Sequence, residues 1–121
     1  MTTSEPPVAL LKAELFKALA HPVRVRALEQ LLQGEWSVGE LAVAIEVEIS
    51  HLSQQLGILR RAGVVVTRRE GNTVFYGVRD ERLGLLFSTA REMLVSQLED
   101  SHSLLSSLET ESDGAPRRSS R

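Results

Sequence analysis

The segment 37–62 constrains the fold most, because it predicts two helices separated by a turn too short to hold another element. Ser37 and Glu40 have the spacing of a capping box, in which the serine oxygen accepts from a first-turn amide and the glutamate accepts from the amide of the cap residue. A helix therefore begins at about Val38. A second apolar run follows residues 46–48 almost at once, so we predict a second helix there.

The second helix of this pair has an apolar side and a polar side. Its apolar residues are spaced by three, four and three positions, and at about 100° per residue we expect all of them to face the core: Ile49, Leu52, Leu56 and Leu59. The other side carries no carboxylate and consists of Ser50, His51, Gln54, Gly57, Ile58 and Arg61. A helix in the DNA major groove needs hydrogen-bonding groups and no anion near the phosphates. The alternative is an ordinary surface helix, since helical hairpins without DNA are common.

Two further helices are predicted before this pair. An amphipathic pattern covers residues 8–20 and is broken at His21-Pro22, because proline cannot continue a helix but suits the first turn of a new one. The new helix extends over residues 22–33. Arg24 and Arg26 in this helix are expected to face solvent or phosphate.

A β-hairpin is predicted after the helix pair. Residues 64–69 and 73–78 are rich in β-branched and aromatic side chains and are joined by a tight turn. Near its tip, Arg68, Arg69 and Asn72 are suited to the DNA backbone or the minor groove. A charged tip is also typical of a solubilising edge hairpin. Because two adjacent arginines directly follow a helix pair, the nucleic-acid interpretation is favoured.

The overall charge does not exclude a nucleic-acid partner. The 121-residue chain has a net charge of −2, but residues 51–79 hold five basic and one acidic side chain, while residues 80–113 hold two basic and eight acidic ones. Positive charge is therefore concentrated in the segment of the second helix and the hairpin, where it creates a local field that the average conceals.

Several classes of function are excluded or disfavoured by what the chain lacks. It has no cysteine, which excludes disulfides, thiolate metal sites and cysteine catalysis. There is no run of about 20 apolar residues and no signal-peptide pattern, so we expect a soluble cytoplasmic protein with no membrane partner. There is also no glycine-rich phosphate loop and no clustered Ser/His/Asp arrangement, so we do not expect an enzyme.

The longest helical pattern covers residues 80–108 and has more apolar residues than one small domain can bury. Burial against a second copy predicts a homodimer, the commonest assembly. The alternative is that this helix folds back across the first helix of its own chain. We expect one domain at residues 8–109, between a flexible lead at 1–7 and a disordered tail at 110–121.

The predicted order of four helices, a hairpin and a fifth helix is that of a winged helix-turn-helix, a mainly α fold with a β-hairpin wing. Four segments in the expected order resemble the ArsR/SmtB-type family of bacterial repressors: Leu-Ala-His-Pro-Val-Arg-Val-Arg-Ala-Leu at 19–28, Ser-Val-Gly-Glu-Leu-Ala at 37–42, Leu-Ser-Gln-Gln-Leu-Gly-Ile-Leu-Arg-Arg-Ala-Gly-Val-Val at 52–65, and Arg-Glu-Gly-Asn at 69–72 with Tyr-Gly-Val at 76–78. The resemblance covers roughly residues 8–100. It implies a dimer built on the first and last helices, which represses transcription from an operator in double-stranded DNA until an effector binds. We expect that operator to be palindromic, matching the two-fold symmetry of the dimer.

The resemblance also assigns DNA-binding residues by position. The reading helix of the family corresponds to Ser50, His51, Ser53, Gln54 and Gln55, and its wing to Arg68, Arg69 and Asn72. Arg61 joins them from the outer side of the same helix. Gln54 is the best candidate for reading a base, because an amide pairs bidentately with adenine. Ser50 and Ser53 are expected to bind phosphate or to cap the helix.

The family's usual effector sites are missing. No cysteine pair is present, and of the aspartate–histidine pattern near the start of the last helix only Asp80 remains, which is not a transition-metal site by itself. His102 and Glu99 are weak candidates for an intersubunit nickel, zinc or cobalt site, and the alternative is that both are simply solvated. His21 is expected to cap or pack at a helix junction, and His51 to meet DNA. A second hypothesis is therefore an interaction module whose DNA binding depends on a co-regulator protein.

Overall fold

The computed structural model describes residues 7–114, and all structural statements below refer to that part of the chain. Its elements, in chain order, are α1 (Val8–Leu19), α2 (Pro22–Leu31), β1 (Trp36–Ser37), α3 (Val38–Ile45), α4 (Ile49–Arg61), β2 (Val65–Glu70), β3 (Thr73–Val78) and α5 (Leu83–Gly114). The chain divides into two compact units, one ending at Gly84 and the other beginning at Leu85. The first unit contains the helix pair and the hairpin, and the second consists of most of α5.

The predicted element order is confirmed, with one strand added. The added strand β1 pairs antiparallel with β3, with Trp36 opposite Tyr76, and gives a sheet of order β1-β3-β2. A strand of two residues has no alternation of side chains that sequence periodicity can reveal. It ties the segment just before α3 to the hairpin.

Two of the predicted helix starts in the first unit, those of α2 and α3, are confirmed by their caps. The Ser37 hydroxyl accepts from the Glu40 amide at 3.2 Å, and the Glu40 carboxylate accepts from the Ser37 amide at 3.1 Å, which completes the capping box of α3. His21 caps α2, because its Nδ1 accepts from the Val23 amide at 3.1 Å. Glu46 ends α3 in the left-handed conformation with φ of 57°, and the chain turns there into α4.

The hairpin turn lies at Gly71-Asn72. Strands β2 and β3 pair from Val65 opposite Val78 to Glu70 opposite Thr73, which leaves two residues in the turn. Gly71 has φ of 62°, a conformation that is unstrained for glycine because it has no Cβ. A two-residue loop with glycine first is the usual type II′ connection, and it brings the predicted wing residues to the tip.

The core of the first unit is aliphatic. Its buried apolar residues are Ala18, Leu19, Ala27, Leu28, Leu31, Leu41, Ala42, Ile45, Leu52, Leu56, Leu59, Val64 and Val65. Leu52, Leu56 and Leu59 are completely buried, so the predicted inner side of α4 is confirmed for these three. The prediction was wrong for Ile49, which is 51% exposed. Ile49 is the first residue of α4, where no earlier turn of the helix covers it.

Helix α5 departs from prediction at both ends. It begins at Leu83 rather than at residue 80 and ends at Gly114, so residues 110–114, predicted to belong to a disordered tail, are helical. The apolar periodicity stops at Leu108, but polar residues such as glutamate continue a helix readily. Residues 1–6 of the lead predicted at 1–7, and residues 115–121 of the tail predicted at 110–121, lie outside the described residues. Among the described helices, none is long and apolar enough to span a membrane.

Candidate nucleic-acid interface

The outer side of α4 is a polar surface with no carboxylate. Ser50, Ser53, Gln54 and Arg61 are exposed, and His51 is half-buried. None of the side-chain hydrogen bonds within residues 7–114 uses Gln54, so its amide has both a donor and an acceptor to offer. This surface has the groups that base edges and phosphates require, in the arrangement predicted from the sequence.

The structure corrects the assignment of Gln55 to this surface. Gln55 is only 8% exposed, and its Oε1 accepts from Nε of Arg24 at 2.8 Å. One residue further along a helix turns the side chain by about 100°, which carries position 55 from the outer side toward the leucine side. Its side chain is therefore largely buried and already bonded to Arg24.

Arg24 makes structural contacts that were not predicted from the sequence. Besides Gln55, its guanidinium donates from Nη1 to the carbonyls of Ala18 at 2.8 Å and Lys17 at 3.3 Å. It thus joins α2, the end of α1 and the reading helix α4 through one side chain. We assign Arg24 a positioning role. The sequence signal for this contact is the position of Gln55 next to the leucine side of α4, because a buried amide needs a hydrogen-bond partner.

Arg26 also contacts a helix junction, while its side chain remains exposed to solvent, as predicted. Its guanidinium donates to the carbonyl of Ile45, the last residue of α3. The two arginines predicted to face solvent or phosphate therefore hold α2 to its neighbours. An unpaired carbonyl at the end of a helix needs a donor, and a long cationic side chain can supply one.

His51 lies beside His21 at the base of the reading surface. The two ring centroids are 6.0 Å apart and the ring planes are inclined at 59°. His21 already uses Nδ1 to cap α2, so the cap and the start of the reading helix are in contact. The predicted role of His21 as a cap is confirmed, while a DNA contact by His51 stays a prediction.

The wing presents its three predicted residues differently. Arg68 is paired with Glu35 at 2.8 Å and with Glu70 at 2.9 Å, and its guanidinium carbon lies 4.9 Å from the centre of the Phe75 ring. The hydrogen bonds that Arg68 donates to the carboxylates of Glu35 and then Glu70 raise the pKa of Arg68 above its usual value. Arg69 and Asn72 are exposed. DNA phosphate must compete with two carboxylates for Arg68, whereas no salt bridge in the described part of the chain involves Arg69.

Replacing Glu35 by glutamine is expected to raise affinity for any duplex by about two- to fivefold at low salt, because it frees Arg68 from a competing anion. The gain should shrink as salt screens the interaction. Fluorescence anisotropy at two ionic strengths measures it. Glu92→Gln in α5 removes the same charge and is the matched control. An equal gain in both variants would show that only net charge had changed.

The residues considered as metal ligands in the sequence, Asp80, Glu99 and His102, do not form a metal site in the described part of the chain. The Arg82 guanidinium lies 2.6 Å from the Asp80 carboxylate, and this hydrogen bond lowers the pKa of Asp80 to about 2. His102 and Glu99 are both exposed on α5. Within residues 7–114 there is no group of three or more histidine, cysteine, aspartate or glutamate side chains able to hold a metal ion.

Comparison with known proteins decides the family. The model of bacterial regulatory proteins of the arsR family matches residues 21–67, which include the helix pair. The HTH-type transcriptional regulator Rv0081 of Mycobacterium tuberculosis is 48% identical over 103 residues, covering 84% of this chain and 90% of that protein. The chain belongs to the ArsR family. This confirms the resemblance read from its motifs.

Two solved structures and one further relative also match. The crystal structure of Rv0081 matches with a TM-score of 0.71 over 80% of this chain and 98% of that one. The homodimeric winged helix-turn-helix DNA-binding domain of Mb0332 from Mycobacterium bovis matches with a TM-score of 0.68 at 30% identity, over 82% of this chain and 95% of that one. The biofilm growth-associated repressor of Agrobacterium fabrum is 47% identical over 74 residues, 61% of this chain and 63% of that protein.

As an ArsR-family member, this winged helix-turn-helix protein is a DNA-binding transcriptional regulator, as predicted. The family is one of regulators rather than enzymes. Its matched region extends from the cap of α2 into β2 and so contains α4 with the polar outer surface. The individual DNA contacts are still predictions.

Proposed function

We propose that the protein is a homodimeric repressor that binds a palindromic operator. One observation carries this proposal: the outer side of α4 is exposed, has no carboxylate, and has Gln54 near its middle. With α4 in the major groove, Gln54 reads a base, and Arg61, Arg69 and Asn72 bind the flanking phosphates. The similarity to a biofilm growth-associated repressor supports repression as the direction of control.

Exposed apolar side chains on α1 and α5 support the dimer. On α1 they include Leu10 and Phe16, and on α5 they include Met93, Leu94 and Leu98, each at least 47% exposed. Such patches mark interaction surfaces when they are large and contiguous. A two-fold dimer carries two copies of α4, which match operator half-sites about one helical turn apart. The homodimeric Mb0332 domain supports the same assembly.

The proposed repressor works in the cytoplasm and is controlled by an effector. A metal effector, nickel, zinc or cobalt, would need His102 and Glu99 from both protomers to complete its ligand set, because each protomer offers only these two. The second candidate, a protein that needs a co-regulator to bind DNA, draws support from the acidic residues of the α5 segment.

Two measurements on one variant test the dimer and the repression together. Leu98→Glu places a charge in the apolar patch of α5, where Leu98 is 70% exposed, and is expected to give monomers in sedimentation velocity and to release a reporter gene from repression. Ser96→Glu, about 200° around the same helix, is the control and should remain dimeric and repressing. A dimeric Leu98→Glu protein would contradict the proposed interface. A dimeric wild type that binds DNA only with a second protein would favour the co-regulator alternative.

A further inference from the structure

A groove of about 660 Å³ lies between α1 and the C-terminal half of α4. Its floor is apolar and includes Leu11 and Leu15 of α1 and Ile58 of α4. All of its lining residues belong to the unit that ends at Gly84. Small-molecule sites typically enclose about 300–1,000 Å³, with an apolar lining and a few polar groups that orient the ligand. The groove has that size, but it is more open and more charged: Leu11 and Leu15 are 54% and 43% exposed, and four of its nine lining residues are charged.

The rim of the groove is predominantly cationic. Lys17, Arg24 and Arg61 line it, together with one carboxylate, Glu14. Arg24 is fixed by its bonds to Gln55 and to the end of α1. This leaves an excess of positive charge beside apolar surface, which an anion with an apolar body would complement.

Arg61 is the cation best placed to receive an anion. The side-chain hydrogen bonds and ion pairs found between residues 7 and 114 do not include Arg61. Its guanidinium lies back along α4 over Gly57, where a Cβ atom would be 3.4 Å from Nη1. That distance is an ordinary van der Waals contact, so position 57 does not restrict the guanidinium.

We propose that this groove binds a small amphipathic organic anion, which is the effector of the repressor. The carboxylate of the ligand pairs with Arg61 and Lys17, and its apolar body covers Leu11, Leu15 and Ile58. Charge-assisted hydrogen bonds to a guanidinium supply orientation, and burial of the apolar body supplies affinity. An organic anion is a different class of effector from the nickel, zinc or cobalt ion considered above.

Binding in the groove would weaken DNA binding through Arg61, and this consequence rests on the proposed function. Arg61 is one of the residues predicted to bind DNA, so an anion paired with it removes a positive charge from the phosphate contact. The ligand also contacts α1 and α4, the two helices that Arg24 joins. By linkage, DNA must lower the affinity for the ligand by the same factor.

A second copy of the chain is the other possible occupant. On the helical projection of α1, Phe16 lies about 130° from the centre of the side that carries Leu11, Leu15 and Ala18, whereas Leu10 lies within about 20° of Lys17, which lines the groove. A dimer contact through Phe16 therefore leaves the groove side of α1 open. We propose the anion as the occupant, because the cationic residues of the groove complement it, and the oligomeric state in the test below distinguishes it from a second copy.

Isothermal titration calorimetry of the full chain without DNA tests the site, with octanoate as the anion and octan-1-ol as its neutral counterpart. We expect one octanoate per protomer and binding of octan-1-ol at least about tenfold weaker. Arg61→Gln and Leu11→Gln should each weaken octanoate binding by about tenfold. Arg60 lies outside the groove, and the neighbouring substitution Arg60→Gln should stay within about twofold of wild type.

Three calorimetric results would overturn the site: no octanoate binding, equal binding of the alcohol, or equal effects of the Arg61 and Arg60 substitutions. Dissociation of the dimer by octanoate would also overturn it, because the groove would then be the interface between copies. Octanoate added to the protein–DNA complex tests the regulatory role and should lower DNA affinity. Binding to free protein without that decrease would reject the effector role. Failure of the protein to bind any DNA would reject the proposed function while leaving the calorimetric result intact.

Discussion

Leu56→Ala is expected to lower the free energy of unfolding by about 3 kcal/mol, the largest stability effect that we predict. Leu56 is completely buried in α4, so the substitution removes buried apolar surface and leaves a cavity under the reading helix. Stabilities of small domains are typically about 5–15 kcal/mol, so the loss is a large part of the total. Chemical denaturation at a fixed protein concentration measures it, because dimer stability depends on concentration.

Val43→Ala is the matched control for this substitution. Val43 is in α3 of the same helix pair but is 79% exposed, and shortening it should change stability by less than about 0.5 kcal/mol. If Leu56→Ala were as mild as the control, the packing of α4 on the leucine side would be wrong. The same result would contradict the outward orientation of Gln54 and its neighbours, because they lie opposite the leucine side on the same helix.

Gln54→Ala is expected to reduce discrimination at one base pair of each half-site by about 1–3 kcal/mol, the value of a good bidentate contact. Gln54 is exposed on the outer side of α4, so its removal should leave stability unchanged within about 0.5 kcal/mol. Fluorescence anisotropy with the operator and with duplexes altered at single positions locates the affected base pair. Discrimination that stays the same at every position would remove Gln54 from base reading.

The neighbouring substitution Gln55→Ala should behave in the opposite way. Gln55 is buried and accepts from Arg24, so its loss leaves a partly buried guanidinium donor without its partner. We expect lower stability and weaker binding to all duplexes alike, with discrimination unchanged. Two adjacent glutamines thus separate a residue that reads DNA from one that positions the reading helix.

The parts of the fold that the sequence predicted are those encoded locally. The capping box of Ser37 and Glu40 and the leucine spacing in α4 involve residues a few positions apart, and periodicity detects such patterns. The side of α4 that carries Gln54 follows from the same arithmetic. The family motifs then placed these elements in the winged helix-turn-helix order.

The parts that it missed depend on distant residues. Arg24 meets Gln55 across 31 positions, and Arg68 meets Glu35 across 33, so neither pair leaves a local pattern. The family resemblance assigned Gln55 and Arg68 to the DNA surface by position. It gave no information on the intramolecular partners of these two side chains. The strand β1 was missed for the same reason, because only its pairing with β3 defines it.

The most direct test of the account is a fluorescence-anisotropy titration of the wild-type protein against the duplex upstream of its own gene and a scrambled duplex of equal composition, over a range of salt concentrations. We expect a clear preference for the upstream duplex. We also expect the logarithm of affinity to fall linearly with the logarithm of salt concentration, because phosphate contacts release counterions. Equal affinity for the two duplexes, or no binding to either, would contradict the claim that α4 and the wing form a sequence-reading surface.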